Sequence, residues 1–131
     1  MCRNICYSIL GALMLVLYAS AQQADSPTPF KIGTADATHF FGREMIVTGT
    51  VVQVNVRPKI VFINMDKPYP ESPLALVIFP KATNQFGDLK ALKGMSVEVT
   101  GTITNYHNHA EIVLERSKQL KVVGGPSTKA P

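Results

Sequence analysis

The side chains best suited to hold a ligand are rings, cations and an amide gathered between Arg57 and Lys81. Arg57 and Lys59 flank Pro58. Phe62 and Asn64 lie two apart in an apolar run, Lys67 and Tyr69 fall among prolines, and Phe79 and Lys81 bracket Pro80. Tyr106 and His107 follow later in the chain. Flat rings give bases a surface to stack on and cations neutralise phosphates, which is what single-stranded nucleic-acid binding requires. Each ring also has a structural alternative. Phe62 and Phe79 have opposite parity in their apolar runs, so at least one is expected in the core. Tyr69, set between prolines, is expected to pack over one end of the fold. Lys90, Lys93, Lys118 and Lys121 are expected to be solvated surface.

The sequence offers little for catalysis. It lacks Gly-x-Ser-x-Gly, His-Glu-x-x-His, a cysteine nucleophile outside residues 1–21 and a phosphate-binding glycine loop. His107 and His109 could place two imidazoles near one cation, with His39 or Glu111 needed as a third ligand, and that spacing does not define a metal site. A non-enzymatic binding protein without cofactor or metal is expected.

The 131 residues carry 13 Lys+Arg against 9 Asp+Glu, so the formal charge is only +4. Phosphate binding through so thin a footprint should be weak and steeply salt-dependent. Residues 1–21 read as a secretory signal. Arg3 supplies the basic start, Ile9 to Tyr18 the apolar run and Ala19-Ser20-Ala21 the cleavage site. Cleavage there would remove both cysteines, Cys2 and Cys6, and leave no membrane anchor. The expected location is periplasmic or secreted.

What positions the candidate residues is a β-rich chain. Residues 22–131 hold twelve Val, seven Ile and ten Thr against six Leu and eight Ala, and branched side chains favour strands. Residues 22–38, with Pro27, Pro29 and Gly33, read as a flexible leader that docks only near Phe30 and Ile32. Glu44 to Val56 is a long strand with a change of phase. Met45, Val47, Gly49 and Val51 share one face, then Val52, Val54 and Val56 continue on the other parity, which signals a β-bulge. Lys59 to Asp66 and Leu74 to Phe79 are the next two strands, joined by the stiff Lys67–Pro73 connector. Phe86, Leu89 and Leu92 recur at helical spacing, so Asn84 to Lys93 reads as one short helix capped by Asn84 and stopped by Gly94. Met95 to Thr104 alternates cleanly, and Ala110 to Glu115 alternates again after a turn. The domain is expected to span residues 39–123, with 124–131 a disordered tail.

Three strands, a short helix and two strands make the order of an OB-fold, a five-stranded Greek-key barrel. The Val-Thr-Gly-Thr at Val47–Thr50 recurs at Val99–Thr102, each glycine falling where a long strand must bend. With His39–Val52 (HFFGREMIVTGTVV), Phe62–Pro70 (FINMDKPYP), Leu76–Pro80 (LVIFP) and Leu92–Leu114 in this order, the chain resembles small bacterial exported OB-fold domains of the nucleic-acid-binding type. One departure is His107-Asn108-His109, where such domains more often carry a basic residue and glycine. The resemblance implies a ligand face on the second and third strands and single-stranded DNA or RNA as the partner. An envelope protein or a glycan is the alternative, engaged through the apolar third strand and the connector.

Overall fold

The computed structural model describes residues 28–125, and the expected signal segment and all but the start of the expected tail lie outside them. The fold is all-β with a few short helical turns. Its strands are β1 (Lys31–Gly33), β2 (Glu44–Arg57), β3 (Ile60–Met65), β4 (Leu74–Ile78), β5 (Ser96–Tyr106), β6 (His109–Val113) and β7 (Leu120–Gly124). They form one sheet in the order β1-β2-β3-β4-β6-β5-β7, and β2 also pairs with β5. Strands β2, β3, β4, β6 and β5 therefore close a ring, matching the five strands read from the sequence and giving an OB-fold-like architecture.

The ring closes because β2 and β5 are long enough to serve two neighbours each. The first half of β2, Glu44–Thr50, pairs antiparallel with β5, while the stretch from Val51 to Arg57 pairs with β3. At the changeover the register slips between Val51 and Gln53, the bulge that the phase change predicts. Inside the ring Val47, Val51, Ile63, Leu74, Leu76, Ile78, Val97, Val99, Ile103, Ile112 and Leu114 are fully buried. The two repeated glycines sit where the wall is tightest. A Cβ on Gly101 would lie 2.6 Å from Ile112 Cγ2, and one on Gly49 would lie 2.7 Å from Thr34 Cγ2 and 2.8 Å from Met65 Cε.

Three expectations need correction. The segment read as a leader contributes structure from Lys31 onward. β1 runs parallel to β2, and a 3₁₀ segment at Thr34–His39 buries Thr34 and Ala37. A strand of three residues is too short to show alternation, which hid it in the sequence. Its position is fixed from the other side: Thr34 Oγ1 donates to Asp66 Oδ2, and Asp66 Oδ1 accepts from the Thr50 amide at 2.8 Å.

The single helix at Asn84–Lys93 is replaced by two short turns, α1 (Pro80–Thr83) and a 3₁₀ segment at Leu89–Leu92. Pro80 presets the first helical position, so the turn begins upstream of Asn84, which becomes its C-cap. Gly87 is a poor helix residue, and Asp88 restarts the chain by accepting from the Lys90 amide at 3.1 Å. Phe86, Leu89 and Leu92 still pack against the core.

Finally, a further strand, β7, follows the last one read from the sequence. A 3₁₀ turn at Ser117–Gln119 separates β6 from β7, and β7 pairs with β5. Gln119 holds the turn by accepting from the amides of Glu115 at 2.8 Å and Arg116 at 2.9 Å while donating to Thr100 O at 3.1 Å.

Candidate ligand-binding cleft

The bulge in β2 decides which side chains leave the core. Before it, odd-numbered residues point inward; after it, Val54 and Val56 take that side opposite Ile63 and Val61. Gln53, Asn55 and Arg57 are thereby turned onto the outer surface beside Asn64, Phe62 and Ile60. Without the extra residue this surface would carry valines.

The register across β3, β4 and β6 continues that surface. Asn64 pairs with Ala75 and Ala75 with Glu111, so these three side chains form a row on the outer face. The small Ala75 leaves a hollow between an amide and a carboxyl. Around it lies a cleft of about 480 Å³ lined by Asn55, Arg57, Phe62, Asn64, Tyr69, Pro70, Ser72 and Ala75, then by Tyr106, His107, His109, Ala110 and Glu111.

Two loops raise the walls. The connector is held from β2, where Gln53 Oε1 accepts from Asn64 Nδ2 at 2.9 Å and from the Tyr69 amide at 3.0 Å. Ser72 Oγ donates to Leu74 O at 2.6 Å and accepts from the Met65 amide at 3.2 Å. These bonds tie the backbone under Tyr69 while the residue remains 71% exposed. Opposite, His107 and Asn108 link β5 to β6, with φ of 47° and 66°. Two successive positive φ values mark a type I′ hairpin turn, the form whose twist matches a β-hairpin. The turn brings His107 edge-on to Tyr106, with ring centroids 4.4 Å apart and planes at 80°.

The cleft combines exposed ring surface with few charges. Arg57 is the one Arg or Lys in its lining and Glu111 the one carboxyl. Burial holds the Glu111 carboxyl above its ordinary range, against the opposing pull of His109 and, less strongly, His107. Among the described residues no group of three or more His, Cys, Asp or Glu side chains is arranged to hold a metal ion.

Of the candidates read from the sequence, Arg57, Phe62, Asn64, Tyr69, Tyr106 and His107 come together here. Lys59, Lys67, Phe79 and Lys81 do not. Lys59 occupies the β2–β3 turn, Lys67 opens the connector, Phe79 is the residue before α1 and Lys81 lies in it. The expectation that Phe62 or Phe79 belongs to the core also fails. Phe62 is turned to the outer face with Asn64, and β4 ends at Ile78, leaving Phe79 48% exposed. Tyr69 lines the cleft instead of packing over an end of the fold. Among the cleft residues the sequence reading did not select, Asn55 was detectable from the bulge, since a phase change in β2 reassigns Gln53, Asn55 and Arg57 together. His109 and Glu111, expected only as metal ligands, line the cleft because alternation with Ile112 puts them on the face opposite the core.

No family model matches the chain, and no curated protein matches it in sequence. Solved structures do resemble it in fold. Asparaginyl-tRNA synthetase from Pyrococcus horikoshii is 18% identical, with a TM-score of 0.50 over 72% of this chain and 23% of that one. A provisionally assigned aspartyl-tRNA synthetase from Leishmania major Friedlin is 12% identical, with a TM-score of 0.51 over 84% of this chain and 23% of that one. An OBody bound to hen egg-white lysozyme is 12% identical, with a TM-score of 0.51 over 72% of this chain and 93% of that one. The chain thus spans about a quarter of the synthetases' length and nearly all of the OBody.

Proposed function

We propose that this protein is an exported, non-enzymatic binding module built on a five-stranded OB-fold Greek-key barrel, and that its cleft binds a short stretch of single-stranded nucleic acid. The observation that carries this reading is the cleft's place. It lies over β3 and β4, between the β3–β4 connector and the β5–β6 hairpin, on the strand face through which OB-folds take oligonucleotides and oligosaccharides. Tyr69 and Tyr106 supply exposed rings and Phe62 a half-buried one. Arg57 takes a phosphate, and Asn55 offers both a donor and an acceptor to base edges.

One observation favours a second reading, a glycan or other ligand of low charge. Lys59, Lys67 and Lys81 stay out of the lining while Glu111 is in it. Fluorescence anisotropy with a labelled mixed-sequence single-stranded DNA, at low and at physiological salt, separates the two. The nucleic-acid reading requires saturable, salt-sensitive binding at low salt. It also requires that Tyr69→Ala or Tyr106→Ala weaken that binding by about 1–3 kcal/mol each, the worth of a stacked base. Absence of binding at low salt refutes it and turns the search to glycans and envelope proteins.

A further inference from the structure

We infer that the cleft is acid-strengthened: His107 and His109, flanking the Glu111 carboxyl, convert a nearly neutral site into a cationic one as pH falls, so that phosphate-bearing ligand is gripped more tightly in acid. This rests on the reading of the cleft as a nucleic-acid site and adds its regulation.

Few charged or titratable groups face the cleft. β2 contributes Arg57, the connector Tyr69, the end of β5 and its hairpin Tyr106 and His107, and β6 His109 and Glu111, while β3 and β4 contribute none. When both imidazoles are neutral, Arg57 and Glu111 cancel and no net charge draws a phosphate in. Histidine is the side chain that ordinarily changes charge between pH 5 and 8. Each imidazole that gains a proton adds a donor and a positive charge at the rim. Burial holds the Glu111 carboxyl above its ordinary range, while the neighbouring His109 and His107 pull it the other way. The gain in positive charge therefore comes from the two imidazoles.

Geometry links the switch to the stacking surface. His107 meets Tyr106 edge-on at 4.4 Å, and Tyr106 pairs with His109 across the hairpin, so the two imidazoles flank an exposed ring. A phosphate beside a base stacked on Tyr106 lies within their reach. The third histidine, His39, belongs to the Thr34–His39 segment and does not line the cleft, which makes it an internal control.

The test is anisotropy of a rhodamine-labelled oligothymidylate, whose bases do not titrate in this range, at pH 7.5 and 5.5 and over a salt series. Binding should be about tenfold tighter at pH 5.5, as expected from two added ion pairs at an exposed site. With about 0.7 counterion released per neutralised phosphate of a single strand, two imidazolium contacts should steepen the salt dependence by about 1.4 in log K against log salt. The doubly substituted His107→Asn/His109→Gln protein should lose both effects, Asn being tolerated at the positive φ of His107. His39→Gln should keep them, and Glu111→Gln should tighten binding at pH 7.5. Circular dichroism at each pH establishes that every variant is folded. Equal binding at the two pH values, or a gain that survives in His107→Asn/His109→Gln, overturns this inference and leaves the nucleic-acid reading standing. No binding at either pH overturns both.

Discussion

Replacing Gly101 by Ala inserts one methyl group at the tightest point of the ring. The new Cβ would lie 2.6 Å from Ile112 Cγ2, about 1 Å closer than two carbons sit at the bottom of their attractive well. Ile112 is fully buried, and its branched Cβ restricts rotation about χ1. Its backbone is fixed too, because β6 is paired with β5 on one side and β4 on the other. The strain must therefore be absorbed by the ring itself, near the upper end of the roughly 1–3 kcal/mol that overpacking costs. Loss of a glycine from the unfolded chain offsets about 0.4–1 kcal/mol. The net destabilisation is about 2 kcal/mol, which lowers the melting temperature of a domain this size by roughly 8–16 °C. Thermal and urea denaturation followed by circular dichroism measure it, with Thr102→Ala, on the exposed side of the same strand, as the neutral reference. Ile112→Ala is destabilising alone, but combined with Gly101→Ala the added methyl enters the space vacated by Cγ2. The double variant should therefore be at least about 1 kcal/mol more stable than the two single effects added together. A Gly101→Ala protein that melts within about 2 °C of the parent refutes the steric reasoning, since ΔTm this small corresponds to well under 1 kcal/mol.

Three further outcomes follow from single contacts. Asp66→Ala removes the acceptor for Thr34 Oγ1 and the Thr50 amide and places Ala at a φ of 61°, so about 2–3 kcal/mol of stability should be lost in urea titration, with the Lys31–His39 segment gaining hydrogen exchange first. Asn108→Gly relaxes the second position of the type I′ turn and should raise the melting temperature by a few degrees while leaving ligand affinity unchanged, as calorimetry and anisotropy would show. Glu111→Gln should stabilise the protein at neutral pH. Burial raises the folded-state pKa of Glu111, so the cost of burying its charge is present above that pKa and vanishes as pH falls through it. The stability difference between Glu111→Gln and the parent should accordingly shrink as the pH of the melts is lowered.

The ring was legible because its marks are local. Alternation in Val97, Val99 and Ile103 and the phase change after Val51 are written within single strands. The repeated Val-Thr-Gly-Thr pointed to bending, and the structure adds a second cause, since Gly49 and Gly101 are also points of close approach. What stayed hidden depends on partners distant in sequence. β1 is too short to carry a pattern and is defined by pairing with β2 and by Asp66. The cleft's row of Asn64, Ala75 and Glu111 needs the parallel register of β4 with β6, which no local rule supplies. Lys59, Lys67 and Lys81 lie near cleft residues in the sequence, but they occupy a turn, a connector and α1 whose directions the sequence does not specify.

The most direct test of the cleft as the ligand site is a ¹⁵N–¹H chemical-shift titration of the protein with short single-stranded DNA at low salt. Shift changes are expected at Asn55, Arg57, Phe62, Asn64, Tyr69 and Tyr106 and through His107 to Glu111, with the far side of the ring at Thr100 and Thr102 unmoved. Changes centred on Lys59, Lys67, Phe79 and Lys81 with the cleft silent, or no changes at all, would contradict the account.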